Sequence, residues 1–193
     1  HGYEVRQFFA VDGEEIQNLV AAVAGSSPYL KGLIEKEHQW LRGAFAQPDA
    51  ALEVELSNLK VTAARDLMST LRRAKRRVAL WTALCDLAGV WALEEVTEAL
   101  SKFADLACQM SLNHALKVQL QRGKIPTRKP ETDPADLGMF VLAMGKLGAN
   151  ELNYSSDIDL ICFFDESYFA SVDVFEARAG FIRATKNLSL IHI

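Results

Sequence analysis

Two spacings of apolar residues divide the chain. Up to about residue 135 they recur at three- and four-residue steps, the period of an amphipathic helix; beyond it they fall into short unbroken runs, the habit of strands. Asp12 with Glu15 forms a capping box ahead of the stripe Ile16, Leu19, Val20 and Val23, and Gly25 closes that first helix. Ser27-Pro28 opens a second, with proline at the first helical position, where its missing N–H costs nothing. Leu30, Leu33, Ile34, Leu41 and Phe45 form its inner face, and Gln47-Pro48 breaks it. A long helix is expected over about 58–88, carrying Ala64, Leu67, Leu71, Ala74, Val78, Trp81, Cys85 and Ala88 on one stripe. After a turn at Gly89 and Trp91, a second long helix carries Leu93, Val96, Leu100, Phe103, Ala107 and Met110; a short connection predicts antiparallel packing of the two.

The segment from Gln121 to Pro134 holds three prolines and alternating charges, which exclude helix and strand, so it reads as a linker. Met139-Phe140-Val141-Leu142 is then a continuous apolar run, as expected of a strand covered on both faces. A glycine-bearing turn and short helix follow. A second strand is expected to open on Asp157 and Asp159 and to run to Phe164, where Asp165-Glu166-Ser167 turns the chain. Val172 to about Leu190 reads as an amphipathic helix lying on the sheet. The predicted class is α+β: an N-terminal helical bundle over residues 1–120, a linker over 121–136, and a small sheet domain over 137–193.

Composition narrows the picture. With 193 residues and half of them apolar, a sizeable core is within reach. A net charge of −4 gives no general reason to expect nucleic acid or an anionic membrane as partner. Cys85, Cys108 and Cys162 are odd in number and widely spaced, which favours reduced thiols in a cytoplasmic protein. No apolar run approaches the ~20 residues of a membrane span, and no signal-peptide pattern opens the chain. His1-Gly2 at one end and an interrupted apolar pattern at Ile193 read as a piece of something longer.

Candidate chemistry gathers between residues 141 and 161. On a strand, residues i and i+2 project from one face roughly 6.5 Å apart, so Asp157 and Asp159 are expected to point the same way. Two such carboxylates repel unless a cation lies between them or one is protonated; Mg²⁺, a hard ion that takes oxygen ligands and arrives with substrate phosphates, suits the pair. Gly145 and Gly148 let backbone approach a ligand closely, and Lys146 adds positive charge. Each feature also has a plain structural reading: an exposed acidic pair, a surface lysine, and Ser155 and Ser156 as turn caps rather than phosphate contacts. The basic run Arg72, Arg73, Lys75, Arg76 and Arg77 reads as a solvated helix face or as a contact for phosphate or a partner; an RNA-binding face lacks interleaved aromatics. His38 and His114 have no partner at ligand spacing, and Glu151 and Asn153 suit turn formation.

A strand running into Gly145-Lys146, then ten residues, then Asp157-Ile158-Asp159-Leu160, resembles the strand, Gly-Ser turn and Asp-x-Asp strand of the nucleotidyltransferase superfamily. The longer wording is more specific. Met144-Gly145-Lys146-Leu147-Gly148, Glu151-Leu152-Asn153 and Ser155 to Leu160 are similar to the bifunctional glutamine synthetase adenylyltransferase/adenylyl-removing enzymes of bacteria, as are Ser27-Pro28-Tyr29-Leu30, Leu71-Arg72-Arg73-Ala74-Lys75 and Asp86-Leu87-Ala88-Gly89-Val90-Trp91.

The resemblance implies a truncated nucleotidyltransferase-type α/β domain, with Asp157 and Asp159 catalytic and metal-binding and Gly145, Lys146, Ser155 and Ser156 on nucleotide phosphate. It implies Mg²⁺ as cofactor, ATP or ADP and phosphate as small ligands, and glutamine synthetase and a PII-type signal protein as partners. The reaction would be phosphorolytic removal of AMP from a tyrosine of glutamine synthetase, giving ADP, because the helical wording is closer to the family's amino-terminal half. AMP transfer from ATP is the alternative, as is a non-catalytic docking module; a nucleotidyltransferase acting on RNA or a small molecule belongs to a further class. Ala149-Asn150 departs from the family, where glycine and a basic residue are usual. A third carboxylate from a later strand does not occur before Ile193, so little activity is expected of this stretch by itself.

Overall fold

The computed structural model describes residues 13–61, 63–127 and 132–189, which leaves Asp12 and part of the proline-rich segment outside the described residues. It is an α+β protein whose described chain divides into two compact units. One takes in the residues up to Phe103 together with Asn150–Ser155; the other takes in Ala104–Ala149 and Ser156 onward. Compactness thus divides the chain inside a helix, whereas composition marks residues 121–136.

The first unit is built around α4 (Leu67–Leu87), against which α1 (Glu14–Ser26), α2 (Pro28–Ala46) and α3 (Ala51–Lys60) all pack. Ser27 caps α2 as expected, its hydroxyl accepting from the Leu30 N–H at 3.2 Å, and Pro28 occupies the first turn. The expected stripes meet: Val20, Val23, Leu33, Ile34, Leu41, Leu80, Trp81, Leu84 and Cys85 form one core, with Ile16, Leu19, Leu30 and Phe45 packed against it. Trp81 sits between the rings of Trp40 and Phe45, at 6.4 and 5.5 Å.

The helix expected over 58–88 is two helices instead. Were the helix continuous with α3 before it, Glu55 and Arg77, 22 residues apart, would lie about 33 Å from each other. They are bonded at 3.0 Å, because the chain folds back between α3, which ends at Lys60, and α4, which starts at Leu67. This fold-back also revises the basic run. Arg76 and Arg77 both grip the buried carboxylate of Glu37, at 2.7 and 2.8 Å, and Arg77 also binds the buried Glu55. Two of the five cations are therefore internal ties, and only Arg72, Arg73 and Lys75 are exposed.

Helix α5 (Leu93–Gln121) buries Val96, Phe103 and Ala107 of its expected stripe, but Leu93, in its first turn, stands 71 % exposed. In the second unit, Ala115 and Leu116 of α5 join Ile125, Leu137 and the inner face of α7 (Val174–Ser189), which is Ala177, Phe181 and Ala184. Strands β1 (Met139–Ala143) and β2 (Leu160–Phe164) pair antiparallel, with Met139 opposite Phe164 and Ala143 opposite Leu160. Met139 and Phe164 pack on the α7 core, so that helix lies on the sheet as its pattern predicts.

The opposite face is not covered within the described residues. Phe140, Leu142, Ile161 and Phe163 are each between 43 and 51 % exposed, and Phe140 stacks on Phe163 at 5.3 Å. The expectation of a strand buried on both faces fails here, because a helix lies on one face only. No helix among the described residues is long and apolar enough to cross a membrane.

Candidate functional site

Strand β1 delivers the chain into the turn. The Met144 N–H donates to the carbonyl of Asp159 at 2.8 Å, extending the ladder one step beyond the pair Ala143–Leu160. Gly145 then takes φ +57°, the left-handed region that side chains with a Cβ adopt reluctantly, and opens the single turn α6 (Gly145–Gly148). A Cβ on Gly148 would run into the carbonyl oxygen of Ala143, so the turn closes back on β1 only with glycine there. Leu147 is buried and anchors the turn, while Lys146 projects as an exposed cation.

The carboxylate of Asp159 lies against this turn: its Oδ2 is 3.6 Å from where a Cβ of Gly145 would stand. The structure therefore brings Gly145 and Asp159 together, as the motif spacing suggests. Asp157, two residues earlier, is exposed, with half-buried Ile158 between the two acids. Neither acidic side chain has a hydrogen-bond or ion-pair partner among the described residues. The acids do not lie within a strand, however. Strand β2 begins at Leu160, because β1 has by then turned into α6 and offers no further ladder partner to residues 155–158.

Ser156 is half-buried and folds with the sheet unit, whereas Ser155 folds with the helices. The Ser155 N–H donates to Asn153 Oδ1 at 3.2 Å, the short turn expected of that asparagine. Asp165, beyond the far end of β2, caps its own turn by accepting from the Ser167 N–H; hydrogen bonds from Ser167 hold its carboxyl below the usual range.

Sequence reading misses the way residues 150–155 are held. Leu152 is buried in the helical unit, and its N–H donates to the hydroxyl of the fully buried Ser101 at 3.2 Å. The Tyr154 hydroxyl donates to Asp86 Oδ2 at 3.1 Å. Burial first, then this hydrogen bond and the negative charge of Asp86, raise the Tyr154 phenol well above its ordinary range. The available signal was that Leu152 and Asp86 fall within wording shared with the same family; Tyr154 itself does not. Burial likewise pushes the Cys85 and Cys108 thiols up to about 11, so both are protonated and inert at neutral pH.

The donor set fits a hard cation in part. Two exposed, unpartnered carboxylates supply oxygen ligands of the right kind, and Gly145 presents no side chain to the Asp159 carboxylate. No group of three or more His, Cys, Asp or Glu side chains that could hold a metal occurs among the described residues. Water and phosphate oxygens would have to complete the shell, which is how Mg²⁺ is ordinarily bound.

Residues 17–191 match the family of glutamate-ammonia ligase adenylyltransferases. The chain belongs to that family. It is 40 % identical over 179 residues to the bifunctional glutamine synthetase adenylyltransferase/adenylyl-removing enzyme of Bradyrhizobium sp. (strain ORS 278), covering 90 % of this chain and 18 % of that protein. The Rhodopseudomonas palustris (strain TIE-1) enzyme of the same name is 39 % identical over 183 residues, covering 92 % and 18 %. The Agrobacterium fabrum (strain C58 / ATCC 33970) enzyme is 33 % identical over 183 residues, covering 90 % and 18 %. The chain thus spans about a fifth of the length of these family members. No solved structure matches it.

Proposed function

We propose that this chain carries a nucleotidyl-transfer site that acts on glutamine synthetase, and that it removes AMP from a modified tyrosine of that enzyme. Phosphate oxygen attacks the AMP phosphorus, the bond to the tyrosine oxygen breaks, and the products are ADP and free tyrosine. The observation that carries the reading is the placement of the Asp159 carboxylate against the Gly145 turn, in a chain whose relatives are named for this pair of activities. Such transfers need charge neutralisation and in-line positioning more than covalent help from the protein. Asp157 and Asp159 would hold Mg²⁺, which when bound neutralises the phosphates and clamps reacting oxygens. Lys146 would draw phosphate by charge, and Ser156 would orient one of its oxygens. A PII-type signal protein as regulator and a cytoplasmic setting complete the proposal; both rest on family resemblance.

The test is a titration of the purified chain with ADP, with and without Mg²⁺. Binding by the wild type should require the metal, and Asp157→Asn should abolish the metal-dependent part. Binding that survives in the variant would leave the acids without a role. The outcome would then favour the docking reading, in which the chain holds glutamine synthetase without acting on the nucleotide.

A further inference from the structure

Helix α4 carries five cations and no acid between Asp66 and Asp86. Two of the five are tied internally. Arg76 and Arg77 hold Glu37, and Arg77 also holds Glu55, so these buried acids are already matched. Arg72, Arg73 and Lys75 are left exposed, and their side chains have no ion-pair or hydrogen-bond partner among the described residues. Other cations of the same unit do find acids at its surface. Lys31 pairs with Glu35 at 3.6 Å, Lys102 with Glu98 at 2.7 Å and Arg65 with Asp66 at 3.2 Å. The three on α4 have only like charges within reach along their helix. Arg72 stands three residues from Lys75 and four from Arg76, and Arg73 stands three from Arg76 and four from Arg77. Like charges at those spacings repel and weaken a helix, so the cluster does nothing for the fold.

We propose that Arg72, Arg73 and Lys75 form a docking face for an acidic surface of glutamine synthetase. The inference rests on the reading of that enzyme as partner given above. Successive helical residues are turned by about 100°, so Arg73 and Lys75 leave the axis on either side of Arg72. Three heads spread in this way do not close on a single phosphate; they match carboxylates distributed over a broad surface. An RNA strand would need aromatic rings beside the charges, and the one aromatic residue of α4, Trp81, is buried. The whole chain carries a net charge of −4, so attraction to an acidic partner has to come from a local positive face. Exposed charges of this kind set encounter rate and orientation, ahead of any chemistry.

The experiment measures binding of purified, unmodified glutamine synthetase to the immobilised chain at about 0.05 M and about 0.5 M salt, because exposed charges are screened beyond ~10 Å already at about 0.1 M. Arg72→Gln, Arg73→Gln and Lys75→Gln together should weaken binding about tenfold at the lower salt, and the difference should shrink to about twofold at the higher. A control carrying Lys36→Gln, Lys60→Gln and Lys117→Gln loses the same net charge from exposed positions elsewhere, and should stay within about twofold of wild type. Arg72→Lys with Arg73→Lys keeps the charge and should bind like wild type. Equal binding by wild type and the α4 triple variant would overturn the docking face, as would an equal loss in the control. Retention on single-stranded oligouridylate that the α4 triple variant loses, with glutamine synthetase binding unchanged, would assign the face to RNA and overturn the proposal too. A wild-type chain that binds no glutamine synthetase at either salt would instead overturn the partner reading on which the inference stands. If the triple variant does not fold by circular dichroism, Arg72→Gln and Lys75→Gln decide the matter singly, each expected to weaken binding about twofold at the lower salt.

Discussion

Glu37 is the residue on which the helical unit is most exposed to damage. Its carboxylate is 5 % exposed and accepts from Arg76 and Arg77, while Arg77 reaches across to Glu55, also buried, and lies 5.4 Å from the centre of the Trp40 ring. Removing one member of a buried pair leaves the others charged and unmatched, at about 3–5 kcal/mol. Because the two guanidinium groups are 36 % and 22 % exposed, water recovers part of that cost. Glu37→Ala should therefore lower unfolding free energy by about 2–4 kcal/mol in urea titration. Arg72→Ala or Arg73→Ala, on the exposed side of α4, should stay within about 0.5 kcal/mol of wild type. Equal losses for all three variants would mean that the ties are no more than surface pairs.

At the scale of elements, the turn α6 depends on Gly148. A methyl group there meets the Ala143 carbonyl, which belongs to the β1 ladder and cannot retreat without loosening the pairing with Leu160. Gly148→Ala should cost about 1–3 kcal/mol in thermal unfolding and weaken metal-dependent nucleotide binding, since Asp159 is bonded through its carbonyl to the same turn. Unchanged binding would separate the turn from the acids. How much of this could be read beforehand varies by element. Helices α1 and α2 were legible because Ser27, Pro28 and Pro48 punctuate clean stripes. The break before α4 was not, since Leu56 and Leu59 lead into Leu67 and Leu71 at helical steps, and only the fold-back onto Glu55 reveals it. Gly145 beside Asp159 followed from local spacing. The strand at Asp157 did not, because alternation shows a pattern but not where the partner strand runs out. Tyr154 and Asp86 could not be paired at all, for a contact across 68 residues leaves no periodic trace.

The molecule as a whole carries two cores with different reporters. All three tryptophans, Trp40, Trp81 and Trp91, lie in the first unit, so indole fluorescence follows the helices alone. The second unit is centred on Phe181, which is buried and touches the rings of Phe164 and Phe169 at 4.9 and 5.8 Å. Phe181→Ala should cost that unit about 3–5 kcal/mol. That is a large share of the stability of a body whose sheet has two strands, a number that rarely stands without a packed helix. Amide exchange in β1, β2 and α7 should then accelerate by orders of magnitude, while the fluorescence midpoint in urea moves little. Helix α5 runs unbroken through the division at Phe103, so the opposite result has a physical route as well: a fluorescence midpoint that falls in step with the exchange would show that this helix makes the two cores unfold together.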